Sequence, residues 1–227
     1  MDARAIPNQL LAALPRKAYG ELLSGLTPVT LAFGDVLYEP RQLITHVYFP
    51  GDSMVSLLTL VEDHLALEVG LVGREGVVGA ALALGITHSP VRALVQGGGS
   101  AMRMDAARFR SALRRSPPLQ RSLLLYINTL MSQVTQTAAC NRFHVVEARL
   151  ARWLLMSRDR MGSNEFRMTQ DFLAHMLGVR RVGVTEAASA LQQRKLIEYS
   201  RGVIRILDDG GLEAASCSCY GIVRNST

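Results

Sequence analysis

The stretch that decides the fold is TQDFLAHMLGVRRVGVTEAASALQQRKLI, residues 169–197. It contains two helix-like apolar patterns, which are separated by Gly178 and by the pair Arg180-Arg181. Two cations at the start of a helix are unexpected, because the helix dipole already makes that end positive. An anion that approaches the helix from outside would explain their position.

The same stretch has the spacing of a helix-turn-helix. Thr169 is a candidate N-cap, and Ala174 is small enough to let two helices cross closely. Gly178 ends the first helix as a left-handed cap residue does. The second helix is then a recognition helix, whose N-terminal residues point at bases in the major groove, and the anion is DNA phosphate. Its predicted buried stripe is Val184, Ala187, Ala188 and Leu191.

Basic charge is concentrated in the same region. The chain of 227 residues has a net charge of +6, and residues 140–207 hold 12 Lys and Arg against 6 Asp and Glu. This distribution is typical of polyanion-binding proteins, although a solvated basic face would give the same count. No apolar run reaches the length of a membrane span, and the N-terminus lacks the layout of a signal peptide. We therefore expect a cytoplasmic protein that does not enter the membrane.

The whole chain is predicted to have an α+β fold. Leucines at helical spacing indicate a helix over residues 5–25, and short Val- and Leu-rich runs from Thr27 onward predict a double-stranded β-helix, or jelly roll. Two short strands that meet in a turn at 200–202 complete a winged helix-turn-helix. We predict three parts: a cyclic-nucleotide-binding-like β-roll sensor domain at 1–116, a dimerisation helix at 117–140 and the winged domain at 141–227.

The dimerisation helix is predicted to run from Leu119 to about Ala139. It carries apolar positions that step by 4, 3, 4 and 3 residues, which is the spacing of a coiled-coil seam. The alternative is a helix packed on its own β-domain. The predicted dimer-interface residues are Leu123, Ile127, Leu130, Val134 and Thr137.

Nearly the whole chain resembles the Crp/Fnr family of bacterial transcription regulators. The most specific segment is residues 169–202, and FPGDSMVSLL (49–58) and GREGVVG (73–79) are similar to the family's β-roll. The resemblance implies a β-roll that senses a small molecule, a long helix that pairs two subunits, and a winged domain that binds a two-fold symmetric site in double-stranded DNA. It also implies RNA polymerase as a partner.

Two departures from the family pattern concern the effector. Cyclic-nucleotide-binding members carry a Gly-Glu pair and then an Arg-Ser/Thr-Ala, whereas here Glu75 precedes Gly76 and Arg92 lacks that context. Because a buried phosphate needs such a charge, we predict that cyclic AMP is not the effector, which stays unidentified. The iron–sulfur members use N-terminal cysteines, and no cysteine precedes Cys140. The candidate effector-binding residues are Arg74, Glu75 and Arg92.

The resemblance also assigns roles on the recognition helix. Arg181 can pair with a guanine, Glu186 can accept from cytosine N4, and Val182 can touch a thymine methyl. An internal salt bridge to Arg180 is the alternative role for Glu186. The candidate base-contacting residues are Arg181, Val182, Thr185 and Glu186. The candidate phosphate-contacting residues are Thr169, Gln170, Arg180, Ser200 and Arg201.

Catalytic motifs are not evident. His46, His64 and His88 lack the His-x-His pair that a metal-dependent jelly-roll enzyme needs, and no Ser-His-Asp or paired-carboxylate arrangement stands out. We therefore predict no enzymatic activity, no cofactor and no metal. The sequence predicts a homodimeric DNA-binding transcription regulator; the alternative is a β-roll effector-binding protein that acts mainly through protein–protein contacts.

The segment Cys217-Ser-Cys219 leaves two interpretations open. It is either an ordinary tail with two thiols, or part of a soft-metal or redox site. Two ligands alone are incomplete, so a third or fourth would come from Cys140, His144 or the partner subunit.

Overall fold

The computed structural model describes residues 8–62 and 65–226, and it confirms the α+β class, with a β-roll, a long helix and a C-terminal helix-turn-helix. The chain forms two compact units. The first contains residues 1–57 and 71–130, and the second contains residues 58–70 and 131–227.

Two short helices begin the first unit, where the sequence predicted one. They are α1 (Gln9–Ala12) and α2 (Arg16–Leu23). Pro15 explains the interruption, because proline disfavours the helical conformation in the residue that precedes it. Asn8 caps α1 by accepting a hydrogen bond from the Leu11 amide. Residues 5–7 of the predicted helix lie outside the described residues.

The β-roll consists of two antiparallel sheets around one core. Its elements are β1 (Thr27–Leu31), β2 (Val36–Tyr38), β3 (His46–Pro50), β4 (Met54–Glu62), β5 (Leu65–Val72), a 3₁₀ helix (Ala80–Leu84), β6 (Arg92–Gly97) and β7 (Gly99–Asp105). One sheet has the order β1-β7-β3, and the other has the order β2-β6-β4-β5. Side chains of both sheets meet in the core, for example Phe49 from β3 and Val95 from β6, and Phe109 of the next helix closes it.

Two helices follow the β-roll. Asp105 caps α3 (Ala106–Arg115), since its carboxylate accepts hydrogen bonds from the amides of residues 107 and 108. The long helix α4 (Pro117–Phe143) begins two residues before the predicted start and ends four residues after the predicted end. The two prolines at its start are tolerated, because the first amides of a helix have no intrahelical acceptor.

Gly76, in the GREGVVG segment, allows α4 to approach the β-roll. A β-carbon at this position would lie 2.2 Å from Cε2 of Tyr126, a buried side chain of α4. Any larger residue would therefore displace the tyrosine or the turn.

The second unit is a winged helical domain. After α5 (Val146–Met161) come β8 (Glu165–Arg167), α6 (Gln170–Leu177), α7 (Arg181–Gln193), β9 (Ile197–Ser200), β10 (Val203–Ile206), α8 (Asp209–Ala215) and α9 (Cys219–Ser226). The three strands form an antiparallel sheet in the order β8-β10-β9. The sequence indicated α6, α7 and the two wing strands, whereas it did not indicate α9.

Residues 58–70 pack with the C-terminal helices. Nε1 of Trp153 donates a hydrogen bond of 2.9 Å to the buried carboxylate of Glu68. Leu67 lies so close to Gly178 that a β-carbon on the glycine would come within 2.6 Å of Leu67 Cδ1. Residues 58–70 therefore belong to the second unit by packing. The predicted boundaries of the β-roll domain, the dimerisation helix and the winged domain stay a prediction.

None of the helices in the described parts of the chain is both long and apolar enough to cross a membrane.

We expect Gly76→Ala to destabilise the first unit by about 1–3 kcal/mol, which is the usual effect of overpacking a filled site. The matched control is Gly20→Ala, at an exposed position of α2 with nothing within 4 Å of the added carbon. That change should stabilise by about 0.5–1 kcal/mol, because alanine favours a helix over glycine. Urea unfolding followed by circular dichroism measures both. Equal midpoints for Gly76→Ala and the unchanged chain would contradict the packing described above.

Candidate nucleic-acid interface

The first helix of the helix-turn-helix is fixed at both ends by local interactions. Oγ1 of Thr169 accepts a hydrogen bond of 3.2 Å from the Phe172 amide, as an N-cap residue does. Gly178 ends α6 with φ of 61°, and the Val179 amide then donates to the carbonyl of Ala174. A left-handed residue at this point turns the chain directly into α7.

The second helix presents its predicted contact residues to solvent. Val184, Ala187, Ala188 and Leu191 are buried, as the sequence predicted. The opposite face of α7 exposes all four candidate base-contacting residues, Arg181, Val182, Thr185 and Glu186. The first of them is the first residue of the helix, and Arg180 is the N-cap, with no side-chain hydrogen bond to the helix end. The Gly183 amide donates to the Arg180 carbonyl, whereas the amides of Arg181 and Val182 have no intrahelical acceptor and suit an anion.

Arg181 has a partner that sequence reasoning missed. Its Nε lies 3.5 Å from Oδ1 of Asp171 on α6, and the side chains are 65% and 62% exposed. The contact depends on how α6 and α7 cross, so no local sequence pattern predicted it. Exposed ion pairs of this kind contribute about 0–1 kcal/mol, and a stronger partner can therefore replace the carboxylate.

An open groove of about 460 Å³ lies between the start of α6, the start of α7 and the turn that joins β9 to β10. It brings together Arg181 and three of the predicted phosphate-contacting residues, Thr169, Gln170 and Arg201. The Thr185 hydroxyl donates to Oε1 of Gln170 at 2.9 Å, which orients the amide at the groove. The other lining residues are Asp171, Tyr199 and Gly202.

Tyr199 is a lining residue that the sequence analysis did not select. Its hydroxyl donates a hydrogen bond of 2.8 Å to the carbonyl of Met168, and burial raises the pKa of the phenol. The side chain is thus a neutral, fixed wall of the groove. Its place in the wing strand, next to the predicted Ser200, was the only sequence signal for it.

The wing turn holds Arg201 at its tip. Arg201 and Gly202 have φ of 50° and 77°, so both central residues of the two-residue hairpin loop are left-handed. This is the pattern of a type I′ turn, which asparagine and glycine adopt most readily. Among the described residues, neither Arg180 nor Arg201 belongs to an ion pair. Both cations are therefore available to a phosphate.

Glu186 is not paired with Arg180, whereas charged residues of the wing strands pair with one another. The proposed salt bridge between Glu186 and Arg180 is not among the ion pairs of the described residues. Instead, Arg205 bridges two strands, with Nη2 2.8 Å from Glu165 and Nη1 3.5 Å from Glu198. Glu186 is thus free to accept a hydrogen bond.

Comparison with known proteins shows that this fold is a known one. Solved structures with the same fold include a Crp/Fnr-family regulator from Eubacterium rectale, at 18% identity over 92% of this chain and 98% of that one, with a TM-score of 0.70. FixK2 from Bradyrhizobium japonicum is 14% identical over 85% and 98%, also at 0.70. The regulator CLP from Xanthomonas campestris, described as responsive to c-di-GMP, is 14% identical over 86% and 100%, at 0.69. No curated protein sequence matches the chain.

The sequence match falls on the DNA-binding part. Residues 148–215, from α5 to α8, match the family model of the Crp-like helix-turn-helix domain. Residues 148–215 thus form a Crp-like helix-turn-helix domain, in a chain that has the fold of Crp/Fnr regulators. Domain match and fold together support a DNA-binding transcriptional regulator.

The candidate effector residues lie in the first unit. Nε of Arg92 is 2.9 Å from Oε2 of Glu39, so its charge is already paired. Oε1 of Glu75 accepts a hydrogen bond of 3.1 Å from the Gly73 amide, within its own turn. Arg74 lies between Gly73 and Glu75 in the chain. Its carbonyl accepts a hydrogen bond from the amide of Gln9, at the start of α1.

The two β-roll histidines that the structure describes, His46 and His88, do not form a metal site with each other. His46 and His88 each contact the preceding threonine, through Nδ1 at 3.0 and 3.1 Å. Neither belongs to the one group of potential metal ligands found among the described residues. His64 lies outside the described residues.

The predicted dimer seam lies mostly against its own chain. Leu123 is fully buried in the core of the first unit, and Ile127 and Leu130 pack against that core. Val134 and Thr137 are half-buried. The alternative interpretation, a helix packed on its own β-domain, therefore describes the N-terminal part of this face, from Leu123 to Leu130.

We expect Asp171→Asn to raise the affinity for DNA of any sequence. The change removes a negative charge from the groove and leaves Arg181 without a competing partner, for a gain of up to about five-fold at low salt. The matched control is Glu213→Gln, which removes one negative charge at an ion pair with Arg224 on α8 and α9. Fluorescence anisotropy on a random duplex compares the two. Equal gains from both variants would mean that net charge, and not the groove, determines the effect.

Proposed function

We propose that the protein is a homodimer that reads a two-fold symmetric operator through α7 and the wing, under the control of a small effector bound by the β-roll. The observation that carries this proposal is the groove in which Arg181, the start of α6 and Arg201 converge. It offers a base-reading side chain flanked by groups that suit phosphates. On this proposal the chain is not an enzyme, works in the cytoplasm and meets RNA polymerase there.

The contacts divide by chemistry. Arg181 reaches a guanine, Val182 a thymine methyl, and Thr185 and Glu186 complete the readout. Phosphates are held by the N-terminal turn of α6 at Thr169 and Gln170, by Arg180, and by Ser200 and Arg201 on the wing. Arg181 must exchange Asp171 for a base, which an exposed pair permits.

For the dimer we propose the other face of α4. A stripe of exposed residues recurs there at steps of 4, 3, 4 and 3: Leu124, Asn128, Met131, Thr135 and Ala138. Leu124 is 46% and Met131 63% exposed, and Leu125 beside them is 61% exposed. A polar residue such as Asn128 within an apolar seam fixes the register of two paired helices. The half-buried Val134 and Thr137 of the first prediction border this stripe.

The charges of the β-roll are the basis for proposing a class of effector. Cyclic AMP is disfavoured, because Glu39 already neutralises Arg92, the arginine nearest to the family's phosphate-binding position. Cyclic dinucleotides are the next class to test, since CLP is described as responsive to c-di-GMP.

Arg181→Ala should relax the preference at one base pair in each half-site, by about 1–3 kcal/mol of discrimination. Arg201→Asn should instead weaken binding to all sequences alike and lower the salt slope by about one per subunit. Asparagine is chosen because it accepts the left-handed backbone of position 201, so that only the charge is lost. Selection from a randomised duplex library, with salt titrations, measures both. If Arg201→Asn alters the selected site and Arg181→Ala does not, α7 is not the reading helix.

Leu124→Asp with Met131→Asp should convert the dimer into a monomer, because four charges per dimer would enter an apolar seam. The control is Leu84→Asp, at a 54% exposed leucine that belongs to the 3₁₀ helix and not to α4. Sedimentation velocity gives the oligomeric state, and circular dichroism shows whether the variants fold. A folded double variant that remains dimeric would place the interface elsewhere.

A further inference from the structure

Four side chains with metal-binding atoms meet in the second unit. They are Cys140, His144, Cys217 and Cys219, and their ligand atoms all lie within 4.8 Å of one another. The Sγ atoms of Cys140 and Cys217 are 3.5 Å apart, and Sγ of Cys219 is 3.4 Å from Nδ1 of His144. The three cysteines are buried and reduced.

Local structure brings two ligands from each of two segments. Cys140 and His144 are one helical turn apart at the end of α4, where the His144 amide donates to the carbonyl of Cys140. Cys217 and Cys219 flank Ser218 in the connection from α8 to α9, and Cys219 is the first residue of α9. The Tyr220 amide donates to the Cys217 carbonyl, which tightens this connection. Both segments thus present a pair of ligands on a short, ordered backbone.

The distances suit a tetrahedral ion. With zinc–sulfur bonds of about 2.3 Å and zinc–nitrogen bonds of about 2.0–2.1 Å, the edges of a tetrahedron are about 3.8 Å between sulfurs and about 3.6 Å between sulfur and nitrogen. The observed separations of 3.5 and 3.4 Å are close to these edges. A disulfide between Cys140 and Cys217 would need about 2.05 Å, and it would give no role to the contact between Cys219 and His144.

The surrounding charges call for an anionic centre. Arg149 and Arg152 are both buried, and their hydrogen-bond acceptors are neutral: Asn141 and the Leu177 carbonyl for the first, Thr137 for the second. Among the described residues, no carboxylate forms an ion pair with either guanidinium. A buried cation without a counter-charge is costly. Three thiolates around a divalent ion carry a net charge of −1, which would balance one of them.

An outer contact is also present. Nε2 of Gln136, one turn before Cys140 on α4, donates a hydrogen bond of 3.0 Å to Sγ of Cys219. Hydrogen bonds of this kind orient a thiolate ligand and stabilise its charge.

We propose that Cys140, His144, Cys217 and Cys219 bind one Zn²⁺ in a closed, structural site. All four positions are filled by the protein, as in other structural Cys₃His sites, and binding releases the thiol protons to solvent. The ion ties the end of the long helix to α9. The site shares no residue with the DNA-contacting groove. The zinc proposal can therefore be right or wrong independently of the operator model.

The test begins with the full chain purified under reducing conditions without chelator. Mass spectrometry of metals should find one zinc per chain. After removal of the zinc, titration with Co²⁺ alone should give the visible absorption of a tetrahedral ion and the near-ultraviolet band of thiolate ligation, both saturating at one equivalent. Added Zn²⁺ should abolish both bands.

Variants assign the ligands. Loss of a residue that only contacts a ligand lowers metal affinity by about 10–100-fold, and we expect this loss for Gln136→Ala. We expect a larger loss of Co²⁺ affinity for each change of a ligand: Cys217→Ser, Cys219→Ser and His144→Ala. Ser218→Ala, between the two cysteines, and His175→Ala, at an exposed histidine of α6, are matched controls that should bind as the unchanged chain does.

The unchanged chain decides the proposal even where a variant does not fold. Substoichiometric zinc together with no tetrahedral Co²⁺ spectrum would overturn it. So would a Cys140–Cys217 disulfide found by peptide mass spectrometry in the reduced preparation, or Co²⁺ binding that the cysteine variants leave unchanged.

Discussion

The close crossing of α6 and α7 is the constraint on which the DNA-binding face depends. Ala174 keeps the two helices near each other, and Gly178 supplies the left-handed residue that redirects the chain within one turn. Because the turn is so short, the first residues of α7 come to lie beside the first residues of α6. Arg181 and Asp171 can then pair, and the wing closes the same groove from the other side. A bulkier residue at 174 or 178 would separate these groups together.

Local chemistry made much of this predictable. Helix ends at Thr169, Gly178 and Asp105 follow from caps, and the wing turn follows from a Gly next to Arg201, since each depends on residues within four positions. The sequence could not supply Asp171 as the partner of Arg181, or Glu39 as the partner of Arg92, because these pairs are set by how distant segments pack. For the same reason the sequence did not predict α9, because so short an amphipathic pattern does not identify a helix without its packing partners.

The long helix shows why one spacing can fit two different faces. Two registers on α4 step by 4, 3, 4 and 3, one beginning at Leu123 and the other at Leu124. Periodicity alone cannot distinguish them, because each satisfies the same heptad. Apolar content favours the first register, and that is the stripe which the chain's own core uses. The second, poorer in apolar residues and containing Asn128, remains on the surface, where a reversible partner would meet it.

The hydrogen bond between Trp153 and Glu68 has a practical consequence. Trp153 is the only tryptophan of the chain, and it is buried within the second unit. Its emission therefore reports the packing of that unit alone, while circular dichroism averages over both. The protein thus contains an intrinsic optical probe, and any difference between the two signals during unfolding would measure how far the two units lose their structure independently.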